Sequence, residues 1–130
     1  MKKNHFKRNE TGYHNAAVKI LAAWVGGVIE QPFYLDGSIS FIPDITVYKD
    51  NILTSIYEVV YSHPIDGKKL GYIQEWCFRN QTELSVFEVS ADYILSLTEK
   101  PDRIVTMDYY SVDPFENNYN PGDHEDLYER

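Results

Sequence analysis

One cysteine, Cys77, is the only thiol in the 130-residue chain. A single thiol excludes an internal disulfide and any zinc cluster built on cysteines. Long apolar runs are missing too. The longest candidate, AAVKILAAWVGGVI, is interrupted by Lys19 and by Gly26-Gly27 and falls short of the roughly 18–20 residues that a membrane helix needs. The basic N-terminus is not followed by the apolar core of a signal peptide. There is no glycine-rich phosphate loop, no nucleophile elbow and no HExxH, which removes the commonest signatures of nucleotide, serine-hydrolase and zinc-protease chemistry. The histidines, His5, His14, His63 and His124, are spread too widely for their spacing to mark a zinc site. No internal repeat is present. A soluble, cytoplasmic protein with no membrane segment is the expectation.

Positive charge is also scarce, and the net charge is −8. Residues 1–10 carry four basic residues against one acid, whereas residues 111–130 carry six acids against one arginine. The intervening body is acidic as well. Such a chain does not coat nucleic acid by bulk electrostatics. A small catalytic site remains compatible, because a metal-dependent nuclease concentrates carboxylates where its ions bind. The basic 1–10 stretch reads as a solubilising arm, and 111–130, rich in Asn, Asp, Pro and Gly, as a loose acidic tail suited to a protein partner. Residues 1–110 then form one domain. With 43% hydrophobic and 15% aromatic residues, it has material for a real core.

Residues 12–25 place Tyr13, Ala16, Ala17, Ile20 and Trp24 at helical spacing, with Thr11 as cap and Gly26-Gly27 as stop. Residues 28–35 read as a strand made irregular by Pro32. Asp36-Gly37 marks a turn, and strands over 39–48 and 52–62 follow. Residues 68–80 read as a helix, 83–89 as a strand, 90–100 as a short helix with Ser90 at its N-cap, and 102–110 as a last strand. The order α-β-β-β-α-β-α-β predicts an α/β or α+β domain with a mixed sheet of about five strands flanked by helices.

Two acids disturb this pattern. In FIPDITVYKDNILTSIYEVVYSH, Asp44 sits in one apolar run and Glu58 in the next. If the hairpin is centred on Asn51, Asp44 lies opposite Glu58, with Cβ atoms about 4.5–5.5 Å apart, and like charges there repel. A slip of one residue would oppose Asp44 to Tyr57 instead and move the acids to different faces. In the first register, water, a nearby cation or a bound metal must make the pair tolerable.

Pro43-Asp44 on one strand, Glu58 among apolar residues on the next, Ser62-His63, Lys68-Lys69 opening a helix, and Glu88 in VFEVS together resemble the PD-(D/E)XK, or restriction-endonuclease-like, superfamily. The resemblance covers roughly residues 10–98. It implies a restriction-endonuclease-like fold and hydrolysis of DNA phosphodiesters with Mg²⁺ or Mn²⁺. Asp44 and Glu58 match the family's two metal-binding acids; hard ions of this kind prefer carboxylate oxygen. The family lysine belongs two residues after the acid, where this chain has Val60. The resemblance therefore passes the lysine's role to Lys69, or to Lys68, at the start of the following helix. Glu10 matches an additional acid that some members carry on the first helix.

Plainer readings stand beside these. His63 is either a proton carrier or phosphate contact, or a hydrogen-bonded loop residue. Ser62 orients a ligand or simply packs, and strand alternation puts it on the face of Glu58. Glu88 reads as a salt-bridge or sheet-end residue. His14 and Lys19 read as surface positions. Tyr57, Tyr61 and Tyr72 either line a base-stacking groove or pack the sheet. A catalytically silent nuclease-fold module that binds a protein partner or nucleic acid is the alternative to an enzyme, and homo-oligomerisation is left open.

Overall fold

A computed structural model describes residues 2–114, with side chains from Thr11 onward. The tail from residue 115 and the side chain of Glu10 lie outside the described residues. Helix α1 (Lys2–Val25) starts well before Thr11, so residues 2–10 of the expected basic arm continue the helix backbone. Its buried stripe is Ala17, Val18, Leu21 and Ala22; Tyr13 and Ala16 are exposed, and Ile20 and Trp24 are half-buried. The branched aliphatics Val18 and Leu21 thus set the face, one position away from the expected stripe.

Gly26 ends α1 with φ 68°, and the Gly27 amide donates to Ala22 O at 2.9 Å. This is a left-handed helix stop of the kind glycine favours. A Cβ on Gly27 would collide with Cγ2 of Ile45, so the missing side chain lets the chain leave the helix directly against the sheet.

The strands are β1 (Val28–Ile29), β2 (Phe33–Leu35), β3 (Ser38–Phe41), β4 (Ile45–Lys49), β5 (Ile52–Val60), β6 (Leu84–Ser90) and β7 (Asp108–Val112). Two further helices are α2 (Gly67–Asn80) and α3 (Ala91–Ser96). A five-stranded mixed sheet runs β1-β4-β5-β6-β7, with β5 and β6 parallel and the other neighbours antiparallel. Parallel pairing requires a crossover, which α2 supplies. The α+β class and the five-strand count match the sequence reading.

Two expected strands are each broken in the middle. Pro32 and Pro43-Asp44 interrupt 28–35 and 39–48, and the pieces β2 and β3 form a separate two-stranded hairpin over the Asp36-Gly37 turn. The last strand begins at Asp108 rather than at 102, and Val112 is buried in the core, so the folded part continues past residue 110.

Strand alternation divides the core. Ile56 and Val86 pack with Ile73 and Cys77 of α2 and with Phe33 and Phe41 of the hairpin. On the opposite face, Val59 and Val89 pack with α1 and with Ile94 of α3. No described helix is long and apolar enough to cross a membrane.

The β4–β5 register decides whether the two acids meet. Asp50 and Asn51 have φ 53° and 66°, the two positive values of a tight type I′ turn. That turn pairs Lys49 with Ile52 and Tyr48 with Leu53. Continued unchanged, the ladder would oppose Asp44 to Tyr57. Thr54 is instead an extra residue, a β-bulge whose Oγ1 donates to Val47 O at 3.2 Å. Beyond it Val47, Thr46 and Ile45 face Ser55, Ile56 and Tyr57. Continuing one residue outward brings Asp44 opposite Glu58.

Candidate active site

Asp44 lies immediately before β4, where the ladder opens. Its own carbonyl accepts the Glu30 amide at 3.0 Å, which fixes the backbone at the sheet end. The two acids then interlock through the main chain. Glu58 Oε2 accepts the Asp44 amide at 2.9 Å, and Asp44 Oδ2 accepts the Val59 amide at 2.8 Å. Each carboxylate also meets a basic side chain, from opposite layers of the fold. Lys69 of α2 places Nζ 2.7 Å from Glu58 Oε1 and 3.0 Å from Ile42 O. His14 of α1 places Nε2 3.4 Å from Asp44 Oδ2 and 3.0 Å from Val59 O. A carbonyl only accepts, so Nε2 carries the hydrogen in this arrangement.

Local chemistry explains why Lys69 and not Lys68 turns inward. Asp66 caps α2 by accepting the Lys69 amide at 2.7 Å, which sets the helix phase. Leu70, Ile73 and Cys77 are buried on one side; Lys69 lies at the edge of that stripe, and Lys68 is exposed. The cationic group that Val60 cannot offer from the strand therefore arrives from the following helix.

Glu58 is only 8% exposed. Burial, and then the neighbouring Asp44 charge, raise its pKa above the ordinary 4.5, while Lys69 and the Asp44 amide pull the other way. Amides and paired bases thus already answer the tolerance problem posed by opposed acids. A shared metal is not required to hold them together.

Among the described residues, no group of three or more His, Cys, Asp or Glu side chains is arranged to hold a metal ion. Mg²⁺ usually takes only one or two carboxylates and keeps several waters. Asp44 Oδ2 and Val59 O converge on the His14 Nε2 position, and Glu58 Oε1 and Ile42 O converge on Lys69 Nζ. All four are hard oxygens of the kind a divalent cation prefers, in two pairs that each surround a basic nitrogen.

The other nominated residues separate. Ser62 and His63 do not share the Glu58 face, because β5 ends at Val60 and alternation stops there. Together with Thr11, His14, Val59 and Tyr61 they line an open cavity of about 300 Å³ on the α1 side. Lys19 is exposed, as expected, but His14 is not a bystander. Its position was legible, since it stands four residues before Val18 and seven before Leu21, on the buried stripe. The three tyrosines do not form one groove. Tyr57 stacks on Phe87 at 4.9 Å, Tyr61 meets Tyr13 edge-on at 5.2 Å, and Tyr72 lines a different cleft with Ile39 and Arg79.

Glu88 sits beside Glu58 in the parallel register and is 2% exposed. Rather than forming a salt bridge, its carboxylate accepts the Ile65 amide and, at 3.3 Å, the Tyr110 hydroxyl. Burial and the charges of Glu88 and Asp108 raise the Tyr110 pKa, which keeps that hydroxyl a donor. Glu88 thereby ties β6 and β7 to the loop that presents His63 and leads into Lys69.

No protein-family model matches the chain, and neither a curated protein nor a solved structure does.

Proposed function

We propose that the protein is a metal-dependent nuclease of the PD-(D/E)XK type that hydrolyses DNA phosphodiesters. The observation that carries this reading is the Glu58–Lys69 ion pair at one end of the sheet with Asp44 directly beside it, the Asp44 amide donating to Glu58 and the Asp44 carboxylate accepting the neighbouring Val59 amide. The helix, antiparallel strands and α2 crossover to a parallel strand also agree with a restriction-endonuclease-like fold.

In this reading Asp44 and Glu58 hold Mg²⁺ or Mn²⁺, with the Val59 carbonyl beside them. The bound ion supplies a water of lowered pKa and neutralises charge on the phosphate. Lys69 opposes the burial and the Asp44 charge that raise the Glu58 pKa and orients its carboxylate, and its ammonium offers a donor to negative charge developing on a phosphoryl oxygen. His14 holds the Val59 carbonyl and the Asp44 carboxylate from the other side, fixing the orientation of both.

A second reading, a non-catalytic module that binds a protein or nucleic acid, is favoured by Val60 at the usual lysine position and by carboxylates already paired with bases. Incubation with labelled linear and branched DNA separates the two. The nuclease cleaves with Mg²⁺ or Mn²⁺, is silent in EDTA, and loses about a thousandfold or more in rate on Asp44→Ala. Absence of cleavage on every substrate, with the protein folded, leaves the module.

A further inference from the structure

We infer that the cavity between α1 and the end of β5 is a nucleotide subsite that selects single-stranded over duplex DNA, an inference that rests on the nuclease reading above. The cavity is continuous with the candidate active site, because His14 and Val59 belong to both. His14 and Val59, which line the cavity, both contact the Asp44 carboxylate, so a nucleotide seated there lies one side chain away from it.

The lining decides what kind of strand fits. Thr11, His14, Ser62 and His63 supply hydroxyl and imidazole groups, and Tyr61 supplies an aromatic ring. No lysine or arginine is among them. Duplex binding without sequence readout relies on Lys and Arg tracking two phosphate backbones, which none of the described lining residues supplies. An unpaired strand adds bases free to stack on aromatic rings, which a duplex keeps inside its own stack. Tyr61 is 36% exposed and is steadied by Tyr13, their planes inclined at 75°. The Tyr13 contact thus braces the Tyr61 ring while part of the residue stays open to solvent. Hydroxyls and imidazoles around it can read base edges or a phosphate without requiring a cationic surface.

The test is fluorescence anisotropy with labelled dT12 and a 12-base-pair duplex, at 4 °C with Ca²⁺ in place of Mg²⁺. Gels verify that the oligonucleotides stay intact. Binding of dT12 is expected to be about tenfold tighter than that of the duplex, because only an unpaired base can stack on Tyr61. Tyr61→Ala should lose about tenfold in dT12 affinity, on the scale of one base stack, and Tyr61→Phe should retain it. Tyr109→Ala, an exposed tyrosine outside the cavity, serves as the control. Equal or tighter duplex binding, or unchanged dT12 affinity in a folded Tyr61→Ala protein, overturns the subsite. Because binding is read without turnover, that failure is distinct from a failure of the nuclease reading, which shows as no metal-dependent cleavage of any substrate by the folded protein.

Discussion

Glu58→Gln is expected to abolish metal-dependent cleavage, by about a thousandfold or more, while leaving the fold within about 1 kcal/mol of wild type. The two effects separate because the charge of Glu58 serves the site more than it serves stability. Its carboxylate is buried and stands beside Asp44, and both circumstances raise its pKa. Glutamine removes a desolvated charge of nearly the same shape and keeps one oxygen acceptor. That oxygen can serve the Asp44 amide, and Lys69, whose side chain is 27% exposed, can turn to water. Glu58→Ala lacks this escape. It leaves the Asp44 amide without its acceptor, at about 1–3 kcal/mol for an unsatisfied buried group. Thermal melts and initial rates on both variants check the prediction. A glutamine variant that cleaves normally places the catalytic acid elsewhere.

Lys69→Met should be damaging to both activity and stability, with a pH signature. Methionine keeps much of the aliphatic stem but removes the ammonium that sits 2.7 Å from Glu58. Glu58 would then be a buried carboxylate without its ion-pair partner, and losing the influence that lowers its pKa drives that pKa further up. A folded state with the higher pKa binds the proton more tightly than the unfolded chain. Stability therefore falls as pH rises from the ordinary 4.5 through the folded value. The deficit against wild type is expected to be about 1–3 kcal/mol near pH 7 and to vanish below pH 4.5. Cleavage should fall about 10²–10³-fold, the usual consequence of deleting one donor to developing charge. Chemical denaturation at a series of pH values reads the first effect. A loss of stability that does not change with pH would assign Lys69 a packing role only.

Much of the fold was legible because short-range chemistry and periodicity agreed. Ser90 caps α3, Gly26 stops α1, and the alternating strands assemble into a five-stranded sheet. What escaped depends on contacts between distant segments. Of the two registers the sequence leaves open, the Asn51-centred one holds only beyond the bulge. The turn itself is offset by one residue, and only the Thr54 bulge restores the opposition; threonine in a β-branched run gives no local sign of a bulge. The choice of Lys69 over Lys68 became definite once Asp66 fixed the phase of α2. Ser62 leaves the face of Glu58 because β5, and with it strand alternation, ends at Val60. His14 faces Asp44 because the buried stripe of α1 follows Val18 and Leu21, one position from the Tyr13–Trp24 spacing. Glu88 shows the same limit in another form. A buried acid in VFEVS calls for a partner, but nothing local identifies the Ile65 amide and the Tyr110 hydroxyl.

The most direct measurement is a calorimetric titration of Mn²⁺ into the wild-type protein and into Asp44→Ala, at matched pH and without nucleic acid. One divalent ion bound by the wild type, with affinity reduced at least tenfold in the variant, is the predicted result. Equal binding by the two proteins would mean that Asp44 holds no metal, and the proposed catalytic centre would have no basis.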